Sequence, residues 1–293
     1  MKRLTTVSLC VVFTTVFTLP HVRAAQSPAP PMPQGTPVSW VEAAAAHEET
    51  IIKDDGDFPL RYRVRQVGAK GDMTREVIES KQGSVARKVE NKGQPLTEAE
   101  DAAERARLNQ ILRSPDEFIK HHERDEGSRQ YSLKLVSQMP KAMIFTYAPG
   151  QPQPANATGL QIAIDFAPDP HYKPPCTICN ALTGIQGRMW IDAKSQRLTR
   201  IEGQTIDEVD FGWAGVLAKI ARGGKVEFEQ TSAGGDRWVY SHLDEHLSMR
   251  VLLVHTINEN NLMTASDFRL LPAPMSVQEA VHTLLDMPIP LKK

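Results

Sequence analysis

The stretch Arg237–Leu253, RWVYSHLDEHLSMRVLL, decides the fold because it carries two periods at once. With period four, Val239, Leu243 and Leu247 form one stripe, and His242-Leu-Asp-Glu-His246 reads as H-x-x-E-H. On a helix that motif sets two imidazoles one turn apart on a zinc ion, with the glutamate beside them as general base. With period two, Leu247, Met249, Val251 and Leu253 alternate with polar neighbours, RWVY has high β preference, and the preceding GGD is a turn. The flanks select the strand. On a strand His242, Asp244 and His246 share one face while Glu245 points to the other, so the base is separated from any metal. A zinc-dependent hydrolase centred on His242 and His246, with Glu245 as base, is the alternative reading and requires the helix; the metal set that a strand would offer is His242, Asp244 and His246.

The strand reading extends outward. From Ala142 the chain runs through AMIFTYA, LQIAIDFA, IQGRMWIDA, RLTRIEGQ, KVEFEQTSA, RWVYSHL, MRVLLVHTI and LMTASDFRL, eight short β-rich runs separated by turn residues. LRYRVRQV, TREVIESKQG and SVARKVENKG form an earlier meander. Ten or eleven strands with few helices between them predict an α+β chain with one wide antiparallel sheet, whose apolar face has to curl or be covered.

The helices are marked by their caps. SWVE (Ser39, Glu42), TEAE (Thr97, Glu100), SPDE (Ser114, Glu117) and the Ser276/Glu279 pair of SVQE are capping boxes, in which each side chain satisfies a free amide of the first turn. They predict a helix over about 40–53, a helical pair or trio inserted at 97–138 with a break near Gly127 and an end at Pro140, and a last amphipathic helix after Ser276.

The first residues speak to destination. Lys2 and Arg3 precede an apolar run softened by threonines, and VRA ends at Ala24, which is the pattern of a Sec-type signal peptide cut after Ala24. Cleavage leaves 269 of the 293 residues and removes three basic side chains, which moves the formal charge from −1 to −4. Residues 25–38, AQSPAPPMPQGTPV, read as a flexible proline-rich leader, and 39–293 as one domain. The expected place is the periplasm or the extracellular medium. Nothing in a mildly acidic total points to nucleic acid as a partner, and no later stretch is long and apolar enough for a stable transmembrane segment. Cys176 and Cys179 in PPCTIC sit in a proline-rich loop, where an oxidising compartment favours a disulfide between them. No nucleophile motif or phosphate loop is present; ARGGK at 221–225 lacks the strand-loop-helix frame.

GRMWIDAKSQRLTRIEG, with Trp190-Ile191-Asp192, the turn at Lys194 and Ser195, and the return through Leu198 and Arg200, resembles the central hairpin of periplasmic lipoprotein carriers of the LolA/LolB type. GGKVEFEQTSAGGDRWVYSHLDEHLSMRVLL, SDFR, GSVARKVENKGQPLTEAEDAAERARL and AMIFTYAPGQPQ are similar to a group of uncharacterised exported bacterial proteins of the outer-membrane lipoprotein-sorting kind. The resemblance spans most of residues 40–271. It implies a strongly curved antiparallel half-barrel with helices covering the concave side. No acyl-binding residue of those carriers maps onto this chain. The inward apolar positions Met189, Ile191, Phe228, Trp238, Tyr240, Val251 and Leu253, with Trp213 on a covering segment, are the candidate cavity wall. The expected function is therefore a non-enzymatic exported binding protein for a lipid, a lipoprotein acyl chain or another hydrophobic ligand, without a cofactor. An envelope protein acting through protein contacts alone is a further alternative.

Overall fold

The computed structural model describes residues 33–53, 59–123, 126–213, 216–234, 237–251 and 255–292. Residues 1–32, which hold the expected signal peptide and the first part of the expected leader, lie outside the described residues, as does Leu253. The side chains of His121, His122, Trp213 and Val251 also lie outside what is described.

The chain is α+β, with thirteen strands in one antiparallel sheet that is not closed into a barrel. The early meander is β1 (Leu60–Gly68), β2 (Gly71–Ser80), β3 (Gly83–Asn91) and the two-residue β4 (Gln94–Pro95). The later strands are β5 (Met143–Tyr147), β6 (Gln161–Pro168), β7 (Ile185–Asp192), β8 (Leu198–Thr205), β9 (Val209–Trp213), β10 (Val216–Ile220), β11 (Lys225–Gly234), β12 (Arg237–Val251) and β13 (His255–Leu270). The sheet order is β4-β3-β2-β1-β13-β12-β11-β8-β7-β6-β5, and β10 pairs with both β12 and β9. RWVYSHL, MRVLLVHTI and LMTASDFRL, expected as three strands, make only β12 and β13, while β4 and the two strands of FGWAGVLAKI are additional, which gives the thirteen. That segment, expected to replace a strand connection and to carry Trp213 as a cover, is instead the β9–β10 hairpin, with Val216 opposite Trp213. It pairs with the far end of β12 through Ile220 and Met249, beyond the part of β12 that β11 reaches.

The helices are α1 (Pro37–Lys53), α2 (Glu98–Arg113), α3 (Pro115–Glu123), α4 (Glu126–Ala142) and α5 (Val277–Asp286). The capping boxes at Thr97/Glu100 and Ser276/Glu279 form as expected. At α1 the cap is Thr36 rather than Ser39: the Ser39 amide donates to Thr36 Oγ1 at 3.3 Å, and Pro37 takes the first helical position, where a missing N–H costs nothing. Pro37 and Val38 therefore belong to the helix and not to the leader. The leader's end is tied down too, because Trp40 Nε1 donates to the Gln34 carbonyl at 2.8 Å and the Tyr147 hydroxyl to the Gly35 carbonyl at 3.0 Å. The insertion holds three helices; the expected break near Gly127 adjoins residues 124–125, which lie outside the described residues, and α4 runs through Pro140, the expected end, to Ala142.

Strand registers assign every side chain to a face, since directly opposed residues point the same way. Val41 and Ala44 of α1 pack on Ile162, Ile164, Met189 and Ile191 of β6 and β7. Leu108 and Ile111 of α2, with Val281 and Leu284 of α5, pack on Ile78 and Val85 of β2 and β3. Following the register from Ile78 through Arg61 and Arg63 to Ser266, and onward by alternation to Thr264 and His242, places the α2–α5 pair on the face opposite α1 and α4. The helices thus cover both faces, at opposite ends of the sheet, instead of one side. A sheet this wide exposes apolar side chains on each face somewhere along its width, and each such region receives its own helices.

One buried cation fixes the α2–α5 end. Arg87 of β3 is fully buried; its Nη1 donates to the carbonyls of Leu284 and Met287 at 2.5 and 2.8 Å, and its Nη2 to Asp101 Oδ1 at 2.9 Å. A guanidinium at the C-terminal carbonyls of α5 satisfies groups that helix geometry leaves open, while Asp101 of α2 balances its charge. Replacing Arg87 by Met leaves those carbonyls and the carboxylate without it, and is expected to cost about 3–5 kcal/mol in chemical denaturation at neutral pH. A loss below about 1 kcal/mol would show that solvent replaces Arg87 freely.

Candidate ligand cavity

The residues Arg237–Val251 form one strand, so the H-x-x-E-H reading loses its frame. His242, Asp244 and His246 point to the α2 face, opposite Thr264, Leu262 and Asn260 of β13. Glu245 points to the other face, where Asn261 donates to it at 3.3 Å. His246 Nε2 stands 3.0 Å from Asp244 Oδ1, and its Nδ1 stands 2.8 Å from Asn260 Oδ1. Among the described residues no three His, Cys, Asp or Glu side chains are placed to hold a metal ion.

His246 and Asp244 border a polar groove of about 440 Å³ that also includes Asp165, Arg188, Glu202, Lys225 and Glu227. Its charges neutralise one another along the strands: Arg188 holds Asp165 at 2.5 Å, and Arg200 binds Glu202 at 2.8 Å and also Glu227 and Glu229. Arg188 and Arg200 both lie over the Trp190 ring, 5.9 and 5.7 Å from its centroid. This is a lattice of cross-strand ion pairs on an open sheet face, each worth little in water.

The α1 face is different. Between the end of α1, the start of α4 and strands β1, β2, β12 and β13 lies a cavity of about 520 Å³. Ile51 and Ile52 from α1, Leu60, Tyr62 and Val64 from β1, Trp238 and Tyr240 from β12, and Met263, Ala265 and Phe268 from β13 give it apolar and aromatic walls. Tyr62 and Phe268 rings lie 5.7 Å apart. Polar groups are few: Gln66, Glu79, Ser84, Ser132, Arg129 and Arg237. Mostly apolar walls with a few polar groups are the usual make-up of a small-molecule site.

Trp238 and Tyr240 reach this face because β12 is bulged. Glu229 of β11 opposes His242, yet Gln230 opposes Tyr240, so Ser241 is an extra residue on β12. Beyond the bulge, Leu243 and Phe228 share the α1 face with Tyr240, and the Phe228 and Tyr240 rings meet edge-on at 5.8 Å.

The candidate wall is therefore divided. Trp238 and Tyr240 line the cavity, and Phe228 stands beside Tyr240. Met189 and Ile191 are fully buried in the core beneath α1 and are not part of this cavity's wall. Cys176 and Cys179 are joined as a disulfide, and Cys179 packs with Ile178 against Tyr131 and Leu135 of α4 and Met249 of β12.

Sequence reasoning passed over Glu48. It is 4% exposed, on the face of α1 that Val41, Ala45 and Ile52 define. Gln230 Nε2 donates to its Oε2 at 2.8 Å, and so does the Tyr240 hydroxyl at 3.3 Å. Burial holds its carboxyl above the ordinary carboxylate range, against those two hydrogen bonds and the nearby Arg197. The signal was present in the sequence: a carboxylate at 48 in the stripe 41, 45, 48, 52 is a charge where a helix meets its core.

Comparison with protein-family models, curated proteins and solved structures finds no match. With His242 and Glu245 on opposite faces, His242→Ala and Glu245→Gln are expected to change stability by less than about 0.5 kcal/mol. A chelator should leave the thermal midpoint of tag-free protein in place. A drop of several degrees on chelation, or stoichiometric zinc by elemental analysis, would restore the metal reading.

Proposed function

We propose that this chain is a non-enzymatic binding protein for a hydrophobic or acyl-bearing ligand, acting after export from the cytoplasm. The observation that carries the proposal is the aromatic and aliphatic cavity between α1, α4 and strands β1, β2, β12 and β13. Its volume suits an acyl chain or a compact polycyclic molecule, in the range usual for small-molecule sites. Tyr240, 43% exposed, stands where a ligand would enter.

The reading takes the sheet as a half-barrel bent around this side, as the resemblance to lipoprotein carriers implies. Two facing glycines support a sharp local bend. A Cβ at Gly187 of β7 would overlap the Glu202 carbonyl of β8, and Gly203 stands directly opposite, so the two backbones approach more closely than side chains allow. No helix among the described residues is long and apolar enough to cross a membrane, which accords with a carrier that meets its ligand in water. The disulfide between Cys176 and Cys179, together with the N-terminal pattern read as an export signal, supports an oxidising compartment.

The test is direct. N-phenyl-1-naphthylamine, a neutral fluorophore that brightens in apolar sites, should bind the mature protein saturably. Ala265 is 7% exposed and lines the cavity, so Ala265→Trp should fill it and weaken binding by at least tenfold. Organic extracts of protein purified from its native compartment should contain a lipid at near-equimolar amount by mass spectrometry. Failure of the probe to bind, or binding indifferent to Ala265→Trp, would sink the proposal.

A further inference from the structure

The bonded pair Glu48–Gln230 contains an inconsistency that a proton resolves. Gln230 Nε2 donates to Glu48 Oε2, while Glu48 Oε1 and Gln230 Oε1 are both buried and both without a partner. Two acceptor oxygens cannot satisfy each other. A proton on Glu48 removes the buried charge and gives the pair a second donor beside the Gln230 amide.

We propose that Glu48 is a proton-operated latch for the neighbouring cavity. As the neutral acid, it closes on Gln230 of β11, accepts from Tyr240 of β12, and seats the C-terminal half of α1 on the sheet. As the carboxylate, it releases that half-helix and draws Ile51 and Ile52 away from the cavity wall. The opening of the cavity to a ligand rests on the binding reading above; the latch itself does not.

The surrounding groups set the direction. Arg197 in the β7–β8 turn favours the anion, and so do the bonds from Gln230 and Tyr240; burial outweighs them and favours the acid. His47, next to Glu48 on α1, is itself pushed towards its neutral form by burial and by Arg197, so it adds little positive charge near neutral pH. Tyr147 of β5 is held above its ordinary range by burial and stays neutral there. Arg129 of α4 and Arg237 of β12 lie on the same face in the cavity wall.

The sign follows. In strong acid Glu48 is protonated both docked and undocked, and the pair is at full strength. As pH rises through the ordinary carboxylate range, the undocked Glu48 ionises while the docked one keeps its proton, so docking weakens with each further unit until the docked group ionises too. The latch is closed in acid and opens towards alkaline pH.

Hydrogen exchange followed by mass spectrometry reads this on the intact mature chain, with rates corrected for the intrinsic effect of pH. Protection across residues 41–53 should fall about tenfold or more between pH 5 and pH 8, while protection across residues 277–286 stays level. Glu48→Gln supplies a permanent donor to Gln230 and should hold the protection at both pH values. Arg197→Gln removes a cation that favours the docked anion, so the docked group keeps its proton to higher pH and the loss of protection by pH 8 should be deeper than in the wild type. Constant protection in the wild type overturns the latch, as does a loss in Glu48→Gln equal to that in the wild type. Should Glu48→Gln fail to fold, infrared titration of the wild type decides. A protonated-carboxyl band persisting well above pH 5 supports the latch, and its absence there overturns it. N-phenyl-1-naphthylamine separates the two ideas. Changing protection without probe uptake at either pH keeps the latch and removes the binding reading, whereas uptake with constant protection does the reverse.

Discussion

The extra residue at Ser241 is the constraint on which the candidate site depends. An unbroken fifteen-residue strand sends alternate side chains to fixed faces along its whole length. Without the bulge, Trp238 and Tyr240 would stand on the face of His242, Asp244 and His246, over the polar lattice. With it, one end of β12 gives aromatic rings to the cavity and the other gives Leu243 and Leu247 to the same side. Ser241 Oγ donates to the Glu229 carbonyl at 3.3 Å, a contact made at the point of the register shift. The apolar side of β12 is thus continuous in space although its sequence pattern changes phase.

Each face of the sheet is then covered by a different rule. On the α1 face the cover is an apolar stripe, with the buried Glu48 as its exception. On the other face, α2 and α5 are held by apolar packing and by Arg87, whose charge is spent on α5 carbonyls and Asp101. Between these covered ends, cross-strand ion pairs such as Arg188–Asp165 let β6, β7, β8, β11 and β12 face water. The order of strands explains the arrangement. β1 and β13 join the early meander to the later strands near the middle of the sheet, so α1 and the helical trio start from opposite sides of that junction.

Much of this architecture was legible in the sequence, because alternation and caps are local. The β-character of 237–251 follows from Leu247, Met249 and Val251; the starts of α2 and α5 follow from Thr97/Glu100 and Ser276/Glu279. What was not legible was long-range or one residue wide. Met189 and Ile191 look identical to cavity residues by alternation, and only the placement of α1 above β6 and β7 makes them core. The α1 cap moved from Ser39 to Thr36 because Pro37 competes for the first helical position, a choice between two good local options. The bulge at Ser241 has no glycine to announce it, and the eight later runs show no sign of which faces the helices take.

Glu48 is the place where local consistency fails and meaning is concentrated. A chain that needed only a stable α1 would put Leu or Ala at that position, since burying a carboxyl and leaving two acceptor oxygens unsatisfied costs free energy that apolar packing does not. The cost is incurred beside Tyr240, which bonds Glu48 and lines the cavity, and on the turn of α1 before Ile51 and Ile52, which line it too. Polar groups that break the pattern of their element tend to mark function rather than stability. Read through that rule, the helix, the bulged strand and the cavity form one unit, in which the state of a single proton decides how firmly the wall is closed.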